Sequence, residues 1–409
     1  MKRRGSAFML ALALMVVLTL VVTGFSLRLD AHVRTEILRI DQRSARLAAE
    51  SGVAQAMSVL SDANFNATTD TDEWFNYGRV GLDRFQVGDS YFRVQIVDNG
   101  GRVNLNTVSR EQMEKIYFSD EQIDSLLDWR EDQLQPRPLG AKDEYYNSLE
   151  TPYNVRLRRL ETVDELLLVK GFTPKFLFDP PENVSGNLLL AGNIADQPAL
   201  FDLVTVDSRS PNVRADGSAK INANTANTNQ LTQAGLSQQV AQAIIQRRNT
   251  QGTFTSLGQL FQIPGLNTEA FRAILNNLTL TNETSVSGLI NLNTASEAVL
   301  NSIPNLAPDQ VQSILSRQGT FAELGELADL PGFTAQVLEQ VGGLFTIGSQ
   351  SFTIRVEGLH NAARFYLEAN VIVEEGRLKI LRVRPPLTYD VVTRWQWPTE
   401  PDTTTVIVD

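Results

Sequence analysis

Apolar and polar positions alternate with three different rhythms along this chain. From Ser6 to Phe25 no residue is charged and most are apolar. A helix of that length measures about 30 Å, the thickness of a bilayer core. Past Ser26 the helical period persists but becomes one-sided. Val33, Ile37, Ile40, Ser44 and Leu47 recur at three- and four-residue steps, with Arg34, Glu36, Arg39, Asp41, Arg43 and Arg46 between them. No proline precedes Pro136 and no glycine lies between Gly24 and Gly52. One helix is therefore expected from about Ser6 to Leu60, half in a membrane and half amphipathic, with the outer half on a sheet. Asn64 to Asp72 is rich in Asn, Thr and Asp and reads as a loop.

A period of two takes over at Tyr91-Phe-Arg-Val-Gln-Ile-Val97 and stops at Asn99-Gly100-Gly101. It returns only late, at Phe352–Val356, Arg364–Glu374, Leu378–Arg384 and Tyr389–Trp397, with Glu374, Glu375 and Gly376 suited to a hairpin turn. The expected fold class is α+β. A long N-terminal helix and a small antiparallel sheet form a discontinuous domain, residues 26–102 with 349–397, split by an all-α insertion, residues 103–348. Residues 398–409 are polar and Thr-rich and read as a flexible tail.

The insertion repeats itself. Val103-Asn-Leu-Asn-Thr107, Ile221-Asn-Ala-Asn-Thr225 and Ile290-Asn-Leu-Asn-Thr294 are three copies of one phrase, rich in residues that cap helix N-termini. Each leads into a helical stretch ending near an arginine: Arg130, Arg247, Arg317. Each copy then reaches a Gly-containing turn, Val169-Lys-Gly-Phe172, Ile263-Pro-Gly-Leu266 and Leu330-Pro-Gly-Phe333. The Pro-Gly turns between helices resemble helix-hairpin-helix motifs, which often hold a DNA backbone on hairpin amides. Here Asn267 and Thr334 stand where a second glycine is expected.

Charge opposes nucleic acid as the partner. The chain carries a net charge of −11. Residues 215–345 hold Lys220, Arg247, Arg248, Arg272 and Arg317 against nine acidic side chains. There are no cysteines, which excludes thiolate catalysis and cysteine-ligated zinc. The two histidines, His32 and His360, lie far apart in sequence. No nucleophile elbow, phosphate-binding glycine loop or His-metal spacing occurs, and the reading is of a protein that is not an enzyme.

Met1-Lys-Arg-Arg-Gly5 precedes the apolar run, so the tail should stay cytoplasmic and the bulk of the chain should lie across the membrane. No small-x-small cleavage site follows the run. Gly5 at this junction resembles the leader of type IV pilins and pseudopilins. That resemblance implies a cut by a prepilin peptidase between Gly5 and Ser6, with residues 6–25 retained as an assembly helix. Most pilins carry a glutamate at the fifth mature position; here it is Leu10. That absence resembles the K-type pseudopilins.

The stretch Leu126-Leu-Asp-Trp-Arg-Glu-Asp-Gln-Leu-Gln-Pro-Arg137, continuing to Gly140-Ala-Lys-Asp-Glu-Tyr-Tyr146, Thr151-Pro-Tyr153 and Leu160–Phe172, is similar to the general secretion pathway protein K family, the K-type minor pseudopilin of type II secretion. The resemblance implies an inner-membrane, single-pass, non-catalytic subunit at the pseudopilus tip that helps start assembly. Its implied partners are the I- and J-type minor pseudopilins, the major pseudopilin, the inner-membrane assembly platform and the prepilin peptidase. It also implies calcium, carried onto Glu131, Asp132, Asp143 and Glu144, although Gln133, Leu134 and Lys142 depart from the family's acidic pattern. A solvated acidic loop tied by Arg130 and Arg137 is the competing account of that stretch. A membrane-anchored helix-hairpin-helix DNA binder and a type IV pilus tip subunit are the competing accounts of the whole chain.

Overall fold

The uninterrupted helical period gives one helix, α1 (Arg4–Ser61), 58 residues long. The computed structural model describes residues 4–116, 118–179, 198–214, 216–386, 391–398 and 406–408. At 1.5 Å per residue α1 extends about 87 Å. Its side chains from Phe8 to Thr35 are exposed, and only its last third meets the rest of the chain.

That last third lies on a sheet of β1 (Arg84–Val87), β2 (Ser90–Asp98), β3 (Ser351–His360), β4 (Ala363–Glu374), β5 (Arg377–Arg384) and β6 (Val406–Val408). The strand order is β5-β4-β3-β2-β1-β6. The central pair joins opposite ends of the chain: β2 and β3 run antiparallel, with Asp98 opposite Phe352 and Phe92 opposite Gly358. The β4–β5 turn has Glu375 and Gly376 at φ 52° and 73°, the left-handed pair a tight hairpin requires.

Alternation gives this sheet two different faces. Phe92, Val94, Ile96, Phe352, Ile354 and Val356 bury one face under Ala49, Val53, Ala56 and Leu60 of α1. Each fully buried Val, Leu, Ile or Phe contributes about 1.5–3 kcal/mol. Small residues let helix and sheet approach closely. A Cβ at Gly52 would lie 2.6 Å from Val356 Cγ1, and one at Gly358 would collide with the Ala45 carbonyl.

The opposite face is polar and buried. Arg93 and Glu357, both fully buried, pair at 2.5 Å, and Glu357 also accepts from Arg364 and Tyr366. The segment after β5 roofs these charges. Trp397 Nε1 donates to Gln95 at 3.0 Å and Trp395 Nε1 to Glu368 at 3.3 Å. The expected strand Tyr389–Trp397 is therefore corrected. Its first two residues lie outside the described ones, Val391–Arg394 is one turn of helix, and the tryptophans cover the sheet instead of extending it. The period of two is broken physically at Gln396, whose φ of 57° turns the chain between them.

Most of the expected flexible tail lies outside the described residues. Its segment Val406–Val408 is ordered as β6, parallel to β1 with Arg84 opposite Val406.

Between β2 and β3 the chain builds three units on one plan. Each opening phrase forms a two-residue parallel ladder with the strand that closes the same unit. Val103–Asn104 pairs with Val204–Thr205, Ile221–Asn222 with Leu278–Thr279, and Ile290–Asn291 with Phe345–Thr346. Between them lie helices, notably α2 (Asp120–Arg130), α3 (Gln238–Gln251) and α4 (Pro308–Leu315). One continuous apolar core, from Val103 to Phe345, runs through all three units. The insertion leaves the sheet at Asp98 and returns at Ser351, next to the loop that follows Ser61. The opposite end of the sheet, at His360 and Asn361, faces Asp41 of α1. The insertion thus crowns the end of the sheet farthest from the apolar run.

Candidate functional site

Three features bear on function: the uncovered part of α1, the polar ties inside the three-unit head, and the acidic loop after α2. Gly5 and Ser6 fall in the first turn of α1, and Leu10 points outward, 74% exposed. The stripe Val33, Ile37, Ile40 and Leu47 is also open, at 48–60% exposure. The sheet is met by a different line of small residues, Ala45, Ala48, Ala49 and Gly52. The stripe is thus uncovered by the described residues.

Inside the head, asparagines do work that the sequence assigned only to helix caps. The second asparagine of each phrase grips a distant backbone segment. Asn293 Oδ1 accepts from Phe321 N at 3.1 Å and its Nδ2 donates to Phe321 O at 3.0 Å. Asn224 does the same to Phe254, and Asn106 to Leu160, adding a bond to Val206 O. The first asparagine holds the phrase's own turn, with Asn104, Asn222 and Asn291 accepting from the amide two residues on.

A third tie closes each unit from the end of its helix. Arg130 donates to Leu105 O and Val108 O, Arg248 to Ala223 O and Ala226 O, and Gln318 to Leu292 O and Ala295 O. The sequence places Arg130, Arg247 and Arg317 near the ends of these helices; the tie is made by Arg130 in the first unit and by the residue one position on, Arg248 or Gln318, in the other two. Arg247 and Arg317 instead bind the short helix before the hairpin, at Gln259 and Glu326. In the first unit Trp129 takes that place, donating to Glu165 at 2.9 Å. Burial works against ionised Glu165, but bonds from Arg156, the Glu161 amide and Trp129 outweigh it and hold its pKa below the usual carboxylate range.

Each cation counted in residues 215–345 is engaged internally: Lys220 with Leu275 O, Arg247 and Arg248 as above, Arg272 with Asp329, and Arg317 with Glu326. Burial also lowers Lys220 to about 8. The hairpins therefore present no cluster of uncommitted cations among the described residues.

The loop after α2 was expected to gather Glu131, Asp132, Asp143 and Glu144 around calcium. It does not bring them together. Glu131 pairs with Arg137 at 2.5 Å. Asp132 and Glu144 are exposed, and Asp143 Oδ1 accepts from Val155 N at 2.7 Å. Among the described residues no cluster of three acidic or histidine side chains converges as a metal site would require. The carboxylate that holds the loop's arginine is Asp128, buried on the last turn of α2 and not among the expected calcium ligands. Arg137 binds it twice, through its guanidinium at 2.8 Å and its amide at 2.9 Å. Burial opposes the charge on Arg137, and bonds to Glu131 and Asp128 overcome it, raising its pKa. Lys142, also buried, donates to Asp128 O at 2.5 Å and Glu131 O at 3.3 Å. Desolvation pulls its pKa down, against the attraction of Asp128. The donor set does not fit a divalent ion.

Comparisons with known proteins divide along the same lines as the units. The family model for protein K of the type II secretion system matches residues 113–178, within the first unit. A helix-hairpin-helix family model matches residues 217–279 and 286–346, the second and third. Type II secretion system protein K of Klebsiella pneumoniae is 26% identical over 244 residues, 51% of this chain and 74% of that protein. A chain of the crystal structure of the GspK-GspI-GspJ complex from the enterotoxigenic Escherichia coli type 2 secretion system is also similar. It shows 14% identity and a TM-score of 0.45, with 87% of this chain and 100% of that one covered. In its ordered motifs and in the matched segment on α2 and its loop, the chain is similar to protein K of the type II secretion system.

Proposed function

We propose that this protein is a minor pseudopilin that caps the pseudopilus and helps initiate its assembly, without chemistry of its own. The family is one of structural secretion subunits, and α1 is long and apolar enough to fit an inner-membrane anchor. Lys2, Arg3 and Arg4 favour a cytoplasmic N-terminus and a periplasmic head. A prepilin peptidase removes residues 1–5 in this reading, exposing Ser6. The partners are the I- and J-type minor pseudopilins, the major pseudopilin and the assembly platform.

One observation carries the capping role: the three-unit head crowns the sheet at the end opposite the membrane helix, where another subunit would have to stack. Leu10 supports it, since a terminal subunit needs no carboxylate for a neighbour's terminal amine. The open stripe on α1 supplies a surface for neighbouring helices. The DNA-binding reading is disfavoured because the counted cations are spent on internal bonds.

Ile37→Asp tests this reading. Ile37 is half exposed and lies off the helix line that meets the sheet, so the thermal midpoint should stay unchanged. Recovery of a complex with co-expressed I- and J-type subunits from detergent extracts should fall at least tenfold, about 1.4 kcal/mol. Full recovery of that complex, or an intact Met1–Gly5 tail by mass despite an active peptidase, would sink the proposal.

A further inference from the structure

The disagreement between the acidic loop and a divalent ion has a positive content. α2 ends at Arg130, so its last carbonyls lack helical partners. The chain then loops out through Pro136 and Pro138 and turns back at Gly140, where a Cβ would collide with the Asp128 carboxylate. The return brings Lys142 beneath the helix end. Its ammonium reaches the carbonyls of Asp128 and Glu131, while Arg137 neutralises the carboxylates of the same two residues. Asp128 has no exposed side-chain surface and Lys142 is only 8% exposed.

Main-chain carbonyls beside carboxylates at a loop closure are the donors a hard cation selects. Here two side chains fill that role from within. We infer that Lys142, with Arg137, is a covalently tethered substitute for a loop-closing divalent cation, so the head of this protein folds independently of calcium. Both buried oxygen acceptors and buried charge are satisfied by the chain itself, which removes the need for an external ion.

Thermal unfolding of the full chain in detergent tests this, with about 10 mM calcium, well above the dissociation constants of extracellular-type sites, or with chelator. The wild-type midpoint should be the same in both. Lys142→Met keeps most of the unbranched stem but removes the donors, and should lower the midpoint by about 3–6 °C. Lys142→Glu places a carboxylate where the ammonium lay; it should melt low in chelator and recover at least half of that loss in calcium. A wild-type midpoint that rises in calcium would overturn the inference, as would a Lys142→Met variant melting like wild type. If Lys142→Glu folds but ignores calcium, the ammonium does not occupy an ion-like position and the substitution idea fails. Should Lys142→Glu not fold, the wild-type and Lys142→Met arms still decide.

Discussion

The first unit of the head and the third share a hydrogen-bond plan yet face different surroundings. In both, one asparagine grips a remote backbone segment and a polar side chain at the helix end holds the phrase. The first unit extends its plan with a long loop closed by Arg137 and Lys142. The third is plain inside but bonded to the sheet. Its Asn291 donates to Asp98 at 2.8 Å and to Thr68 at 2.7 Å, and Thr294 donates to Asp98 at 2.7 Å. The corresponding asparagines of the other units meet neutral partners, Ser208 and Asn282. One repeated scaffold thus meets the sheet in two ways: the first unit through ion pairs such as Arg355–Asp202 and Arg384–Asp164, and the third through neutral donors gathered on the buried Asp98.

The largest effect that could break this comparison comes from the gripping asparagines. Asn293 is fully buried and satisfies both backbone groups of Phe321, whereas Asn106 and Asn224 are partly buried. Asn293→Ala leaves two buried backbone groups unpaired, a cost of about 2–5 kcal/mol. Asn224→Ala should cost less, about 1–3 kcal/mol, because the Asn224 side chain is itself partly exposed and water can take its place. Asn106→Ala should fall between, having one more bond to lose. Denaturant unfolding of the three variants measures the order, and equal costs would mean that burial does not distinguish the units.

An intermediate effect sharpens the sheet junction. Asp98 is buried at the end of β2, and desolvation raises its pKa although Ser349, Thr294, Asn291 and the Gly100 amide all donate to it. A carboxyl whose pKa is higher folded than unfolded binds its proton more readily in the folded state. Its contribution is fully present below the unfolded value, about 3.9, and is lost as pH rises through the folded value. Asp98→Asn should therefore flatten that decline of stability toward neutral pH, measured as midpoint against pH. Asp98→Ala should cost about 1–3 kcal/mol at any pH by orphaning the donors. A pH profile unaltered by Asp98→Asn would remove the carboxylate from the junction's energetics.

How much of this could be read beforehand follows from what each signal is made of. The helix, the central strands and the three phrases rest on local patterns, and the repetition implied three like units, but the ladders that begin at Val103, Ile221 and Ile290 were not legible in phrases read as helix caps. Tyr389–Trp397 alternates as a strand does, yet tertiary contacts of Trp395 and Trp397 decided its shape. The closing ties of Arg248 and Gln318 leave no sequence pattern, because a charged and a neutral side chain of similar reach serve the same carbonyls. In the acidic loop, composition counted carboxylates but could not show that Asp128 was buried or that Lys142 lay beneath the helix end. Asp98 meets Asn291 across 193 positions, a pairing with no local trace.

The smallest predicted effect separates the second unit from its neighbours. Gly171, Gly265 and Gly332 mark the three hairpins, with φ of 86°, 84° and 86°, where an L side chain is strained by about 1–2 kcal/mol. In the outer units a glutamine, Gln122 or Gln310, donates to the glycine carbonyl at 2.9 or 3.1 Å and packs against it. A Cβ there would lie 3.1 Å from Gln122 Cγ or 3.2 Å from Gln310 Cγ, whereas one at Gly265 meets open space. The second unit has Val240 at the equivalent helix position and makes no such bond through its side chain. Gly265→Ala should thus cost only the backbone strain, about 1 kcal/mol. Gly171→Ala and Gly332→Ala should cost more, because the alanine also displaces the glutamine that ties hairpin to helix. Denaturant midpoints give the ranking. If Gly265→Ala were as damaging as the other two, the strain alone would set the cost, and the glutamine ties would contribute nothing to holding the outer hairpins.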